Sequence, residues 1–191
     1  PAGSDFHLVH ESPGTLDRFS LRSTSSRAPG PDEVLVDVLA AGLNFRDVLT
    51  ALGAYPGEPR IGHECVGRVA QVGSSVDDLK PGDRVLVFWP GCFGSQVVAP
   101  RSWVFPAPSS LSPAEAATVP VVFGTAFHAL HRIARLDSGS RVLVHSGAGG
   151  VGMAAIQLAQ EAGAEVYATA GSEEKRGRLL TLGVAGAFAS T

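Results

Sequence analysis

The sequence predicts an α/β protein in two unlike parts: a β-barrel-like domain over residues 1–120, then, over 121–191, the first half of a parallel sheet flanked by helices. Three observations predict it. Short β-type runs punctuated by Pro and Gly turns fill the chain to about residue 108, helix and strand patterns alternate beyond it, and a glycine-rich turn joins a strand to a helix at residue 147. With 23 Gly and 13 Pro among 191 residues, well above the usual joint share of about 12%, the chain is rich in turns.

In order along the chain, residues 6–10, 33–39, 67–72, 84–88 and 95–99 form strand-length runs rich in β-branched residues. Pro29-Gly30-Pro31, Tyr55-Pro56-Gly57, Pro81-Gly82-Asp83 and Pro90-Gly91 separate them, Pro presetting φ and Gly accepting positive φ. One helix interrupts this half at 45–52. Ser112-Pro113-Ala114-Glu115 then combines an N-cap Ser, a Pro at the first helical position and a Glu three residues after the cap, which marks a helix start. A second helix follows over 124–135. Residues 141–145 carry no polar alternation, as in a buried parallel strand. A helix over 151–162, a strand over 165–169, a helix over 172–182 and the start of a third strand at 186–189 complete the pattern.

Composition excludes several function classes. The chain is 45% hydrophobic and 17% charged, with a net charge of −3, so it is neither disordered nor a basic nucleic-acid binder. No apolar run reaches the roughly 18 residues of a membrane span. Two cysteines, Cys65 and Cys92, fit a reducing cytoplasm and read as small buried hydrophobes, with a single bridge between them left open. Pro1-Ala2-Gly3-Ser4-Asp5 lacks the charged and apolar regions of a signal peptide, and the missing initiator Met suggests a piece of a longer chain.

The sharpest motif is Gly147-Ala148-Gly149-Gly150-Val151-Gly152, which fits G-x-G-x-x-G between a strand and a helix. In that setting one glycine makes the turn, the next lets the backbone approach a pyrophosphate, and the third lets helix and strand pack closely. The helix N-terminus presents its N–H groups to the anion. An NAD site places an acid about 20 residues past the motif. Here Ala170-Gly171-Ser172 stands at that point, with Lys175 and Arg176 one turn on, a set that favours NADPH by giving a 2′-phosphate room, a hydroxyl and two cations. The alternative reading makes Ser172 an N-cap and the two cations a solvated helix face, with Glu173 and Glu174 beside them.

Leu43-Asn44-Phe45-Arg46-Asp47, Gly62-His63-Glu64, the strand from Gly67 to Gly73, Lys80-Pro81-Gly82-Asp83-Arg84-Val85 and Gly147–Gly152 resemble, in order and spacing, the medium-chain dehydrogenase/reductase superfamily. Residues 41–49, 119–125 and 142–155 look most like the enoyl reductase domains of modular polyketide synthases and animal-type fatty acid synthases. The resemblance covers nearly the whole chain. It implies a GroES-like β-barrel domain that binds substrate, followed by a Rossmann domain of which this chain carries the first half. It also implies reduction by NADPH of the α,β double bond of an enoyl thioester held on an acyl carrier protein, beside other synthase domains such as a ketoreductase. A stand-alone quinone or enone reductase, or a non-catalytic module, are the competing readings.

Zinc members of that superfamily join the His of Gly-His-Glu to a Cys some twenty residues earlier. Here that stretch holds Asn44 to Asp47, so His63 lacks the partners of a three-ligand site, and His63 and Glu64 read as hydrogen-bonded structural residues. His128 and His131 read as ordinary helix residues rather than a metal pair. A metal-free reductase needs a weak acid as proton donor. The resemblance assigns that role to Tyr55 and places Asn44 and Thr125 against the nicotinamide, whereas Tyr167 reads as packing. Ala54 stands where many relatives carry Met, which widens the pocket beside Tyr55, and the resemblance draws a catalytic Lys from a second half of the cofactor fold.

Overall fold

The computed structural model describes residues 5–12, 14–24, 27–56 and 60–190. The N-terminal reading of Pro1–Ser4 and the Gly57 of the turn at Tyr55 lie outside the described residues. The chain divides into two compact units, Pro1–Val121 and Val122–Thr191.

In the first unit, β1 (Phe6–His10) and β2 (Phe19–Ser23) make an antiparallel hairpin, with the His10 and Phe19 rings 4.5 Å apart. β3 (Glu33–Gly42), β4 (Glu64–Val72), β5 (Arg84–Val87), β6 (Gln96–Pro100) and β7 (Val104–Pro106) form an antiparallel sheet in the order β6-β3-β4-β5-β7. Register shifts between β3 and β4, at Leu35/Val36 and Val38/Ala40, add twist and curl the sheet. Its strands send Val34, Val36, Cys65, Val85, Val87, Ala99 and Val104 into one core, each fully buried. Both cysteines are free thiols in that core, so the bridge left open by the sequence is not made.

α1 (Phe45–Ala51) follows β3 directly. α2 (Pro113–Ala117) starts at the capping box read from the sequence: Ser112 Oγ accepts from the Glu115 N–H, and Glu115 Oε2 accepts from the Ser112 N–H. Ala116 and Ala117 seat it on Val66 and Leu86.

The second unit is a parallel sheet in the order β10-β9-β8, from β8 (Arg141–Val144), β9 (Glu165–Ala170) and β10 (Gly186–Ala189). α4 (Gly150–Glu161) and α5 (Glu173–Thr181) cover one face, where Val144, Ile156, Ala159, Val166, Ala168 and Leu179 make the core.

Four departures from the sequence reading have local causes. β2 buries almost nothing, so it has no hydrophobic pattern to betray it and is held by pairing with β1. β7 is only three residues long. The helix expected over 124–135 starts earlier, as α3 (Pro120–Phe127), because Pro at a helix start gives up no hydrogen bond; it then passes into a π-helical turn, His128–Ile133. The run at 141–145, read as buried, buries only Val144: α4 and α5 cover a single face, leaving Leu143 and Phe188 exposed on the other, where Phe188 stacks on Tyr167. Among the described residues, no helix is long and apolar enough to cross a membrane.

Candidate functional site

The glycine turn sits where β8 ends. Ser146 takes a positive φ of 54°, a conformation L-residues rarely adopt. Thr169 on β9 holds it there: its Oγ1 accepts from the Ser146 N–H at 3.2 Å and its carbonyl accepts from the Gly147 N–H at 2.8 Å. Gly149 is the N-cap of α4, whose first turn carries no acidic residue. A Cβ on Gly152 would lie 2.5 Å from the Ser146 carbonyl oxygen and 2.7 Å from Gly147 Cα, and one on Gly147 would lie 2.9 Å from Ala168 Cβ. The turn exists in this form because those side chains are missing.

Ser146, Ala148, Gly149, Ala170, Gly171 and Lys175 line a cavity of about 190 Å³ at this turn. The cavity thus combines a helix N-terminus, which favours an anion, with an exposed ammonium. Ser172 caps α5, its Oγ accepting from the Lys175 N–H at 3.3 Å, and Arg176 Nη1 donates to the Ala170 carbonyl at 3.2 Å. The fold therefore gathers Ser172, Lys175 and Arg176 at the end of β9, beside Gly147–Gly152. Ser172 does cap α5, and Lys175 both lines the cavity and is exposed to solvent.

In the first unit a buried polar cluster surrounds the start of α1. Asn44 is the N-cap; its N–H donates to Asp47 Oδ2 at 2.8 Å, and its Nδ2 donates to Glu64 Oε1 at 2.8 Å. Asp47 Oδ1 accepts from the Gly62 N–H and pairs with His63 Nδ1, both at 2.8 Å. Glu64 Oε2 accepts from the Val121 N–H at 2.8 Å. Burial pushes the Asp47 carboxyl up, but His63 and the two backbone amides outweigh it and hold it below the ordinary range. For Glu64 burial wins over the same kind of bonds, and its carboxyl is raised.

Two glycines make room for this cluster. Gly42 pairs with Glu64 across β3 and β4, and a Cβ there would lie 2.3 Å from Glu64 Oε1 and 2.6 Å from the Ala117 carbonyl oxygen. Gly62 has φ +75°, and a Cβ there would lie 2.6 Å from the Phe93 nitrogen.

The remaining candidates are more exposed. Tyr55 is partly exposed, with the Arg46 guanidinium 4.6 Å from its ring centroid, a cation–π contact. Thr125 lies on α3 with its residue exposed. His131 stacks on Phe127 at 4.7 Å, as an ordinary helix residue does. Among the described residues no three His, Cys, Asp or Glu side chains are placed to share a metal ion. Sequence reasoning missed Asp47 as the hub of the polar cluster and Arg46 as the neighbour of Tyr55. The signal for Asp47 was present, an acid three residues after an Asn N-cap.

Comparison with known proteins fits this geometry. Residues 30–109 match the family model of the alcohol dehydrogenase GroES-like domain. The chain is 47% identical over 181 residues to a phenolphthiocerol/phthiocerol polyketide synthase of Mycobacterium tuberculosis, covering 93% of this chain and 8% of that protein. It is 49% identical over 164 residues to erythronolide synthase EryA2 of Saccharopolyspora erythraea, covering 82% of this chain and 5% of that protein. Among solved structures, the CurK enoyl reductase superposes with a TM-score of 0.93 at 35% identity, over 98% of this chain and 60% of that one. The chain thus spans under a tenth of those synthases and about three fifths of the solved reductase. A GroES-like β-domain followed by Rossmann-type βαβ units, with these relatives, settles the family: the chain belongs to the medium-chain dehydrogenase/reductase superfamily, among the enoyl reductase domains of polyketide synthases.

Proposed function

We propose that this chain forms the substrate domain, over 1–120, and the first half of the NADPH-binding domain, over 121–191, of a zinc-independent enoyl reductase. It would serve a polyketide synthase by reducing the α,β double bond of an enoyl thioester on an acyl carrier protein, next to domains such as a ketoreductase. The carrying observation is the glycine turn, close-packed at Gly147 and Gly152 for want of side chains, with a cavity of about 190 Å³ beside it that has Lys175 in its wall.

The residues fit an NADPH molecule by their chemistry. Gly147, Gly149, Gly150, Val151 and Gly152 offer backbone N–H groups to its pyrophosphate, while Ser172, Lys175 and Arg176 offer a hydroxyl and two cations to a 2′-phosphate. Asn44 and Thr125 contact the nicotinamide end. When bound, NADPH supplies the hydride that reduces the β-carbon of the enoyl thioester. Tyr55 holds the proton that the α-carbon takes up, and Arg46 stacked on its ring limits its swing. The zinc-independent reading takes His63 and Glu64 as hydrogen-bonded structural residues, His63 Nδ1 pairing with Asp47 and Glu64 accepting from Asn44 and Val121.

The test is turnover by the polypeptide in which this chain occurs. NADPH absorbance should fall with crotonyl-pantetheine or a carrier-bound enoyl chain, and Tyr55→Phe should lower kcat by about a hundredfold. Turnover of quinones with none of thioesters would replace this reading by the quinone reductase one. Paired Lys175→Ala and Arg176→Ala changes should raise the NADPH dissociation constant by about tenfold or more and spare NADH, each lost charge-assisted bond being worth about 1.5–3 kcal/mol. Equal effects on both cofactors would remove the 2′-phosphate assignment.

A further inference from the structure

Ser146 opens the glycine turn in a conformation it does not favour on its own, and the neighbouring strand holds it there. Its φ of 54° lies in the left-handed region, which is costly for a residue with a Cβ and free for glycine. In that conformation its carbonyl accepts from the Gly149 N–H at 2.9 Å and occupies the space a Cβ on Gly152 would need. Gly149 is the N-cap of α4, so the backbone angle at Ser146 decides where the N–H groups of α4 begin. The hold comes from Thr169 of β9, buried at 6% exposure. Its carbonyl takes the Gly147 N–H at 2.8 Å, and its Oγ1 takes the Ser146 N–H at 3.2 Å. His145 Nδ1 stands 3.3 Å from the same Oγ1, a second partner that fixes how the hydroxyl is turned.

We infer that Thr169 is a positioning residue for the cofactor: its hydroxyl keeps Ser146 left-handed and so holds the glycine turn in its binding shape before the cofactor arrives. The inference rests on the reading of Gly147–Gly152 as the pyrophosphate site. Without the hydroxyl, Ser146 returns to the backbone conformations its Cβ prefers, and binding must first restore the turn. Affinity then falls by the fraction of molecules in which the turn is formed. The pyrophosphate is common to NADPH and NADH, so Thr169 acts on both alike, unlike Lys175 and Arg176, whose target is the 2′-phosphate.

Thr169→Val is the diagnostic change. It keeps a β-branched side chain in the strand and the carbonyl that holds Gly147, and removes only the hydroxyl. Thr169→Ser is its conservative partner, because it keeps the hydroxyl. Ser146→Gly tests the same link from the other end: a glycine takes a φ near 54° without help, so the turn no longer depends on Thr169 Oγ1.

Binding of NADPH and of NADH is titrated with the whole polypeptide in which this chain occurs. Thr169→Val should raise both dissociation constants by the same factor, about tenfold, the weight of one net hydrogen bond. With enoyl thioester the loss should appear in the KM for NADPH and not in kcat. Thr169→Ser should stay within about threefold of wild type, and Thr169→Val made on top of Ser146→Gly should stay within about threefold of Ser146→Gly alone. Hydrogen exchange read by mass spectrometry without cofactor should be faster across residues 146–149 in Thr169→Val than in wild type or Thr169→Ser. Unchanged affinity or unchanged exchange in Thr169→Val, a loss confined to one cofactor, or a loss that Thr169→Ser shares overturns the inference. So does a tenfold loss that persists beside Ser146→Gly, which would make Thr169 a support of β9 and nothing more. Failure of the parent reading shows in the wild type, which would then bind neither cofactor and take the inference with it; the inference alone fails only in a wild type that binds both.

Discussion

The two units reach order at their functional ends by opposite means. Around the start of α1, four side chains spend their polar atoms on one another and on nearby backbone, so position is set by hydrogen bonds between titratable groups. At the glycine turn, position is set by what is absent, since Gly147 and Gly152 let β8 and α4 approach until no Cβ fits. The first device is sensitive to charge and pH; the second is sensitive to volume and nearly blind to pH. Each can therefore be changed by a substitution that leaves the other as it is.

The strongest way to break the second device is a single methyl group. Gly152→Ala puts a Cβ 2.5 Å from a backbone carbonyl that cannot retreat without moving Ser146, already at positive φ. The expected cost is about 3 kcal/mol or more, at the upper end of overpacking, with loss of NADPH binding. Gly177 is the control: it lies inside α5 with nothing within 4 Å of a Cβ, so Gly177→Ala should stabilise by about 1 kcal/mol. Thermal melting of both variants checks the pair, and a neutral Gly152→Ala would show that the close approach is not needed.

The first device should break through charge. His63→Ala takes away a partner of the buried Asp47 carboxylate, and leaving a buried charge short of its partner costs about 3 kcal/mol. The pH profile carries the signature. Asp47 has its folded value below the unfolded 3.8, so its contribution is full above 3.8 and is lost as pH falls through the lower folded value. Glu64 has the opposite sign: raised by burial, its ionisation opposes folding at neutral pH, and that cost fades as pH falls toward its unfolded 4.5. Denaturant melts of His63→Ala from neutral pH downward should show the acid loss of Asp47 flattened, while Gly152→Ala should run parallel to wild type. A His63→Ala curve parallel to wild type would deny the cluster its electrostatic role.

What the sequence made legible follows the same division. The turn was read residue by residue because its requirement is local: glycines at fixed offsets between a strand and a helix. Ser112 and Glu115 were legible for the same reason. Of the polar cluster, His63 and Glu64 were read as hydrogen-bonded structural residues but their partners were not, since Asn44 and Glu64 are twenty residues apart and meet only through the β3–β4 register. The strand β2 escaped because its order comes from its partner and not from burial. The exposed Leu143 escaped because an apolar run does not say how many faces its neighbours cover.

The smallest expected effect isolates burial from hydrogen bonding. Glu33 bonds Arg27 through both oxygens, at 2.6 and 2.7 Å, and also accepts from the Gly30 N–H, much as Asp47 gathers a partner side chain and backbone amides. The difference is water: Arg27 is largely exposed although the Glu33 side chain is only 25% exposed, and burial counts for less here than the bonds to Arg27 and Gly30. The Glu33 carboxyl is accordingly held down to about 2, first by Arg27 and then by Gly30. Its stabilising contribution is thus present above the unfolded 4.5 and lost as pH falls from there toward 2. Arg27→Ala should return the carboxyl most of the way to 4.5 in a carbon-detected NMR titration, yet leave melting at neutral pH nearly unchanged, because solvent screening makes an exposed pair worth little. A large stability loss there would mean that geometry alone, without burial, gives these carboxylates their grip, and the contrast drawn with Asp47 would fall.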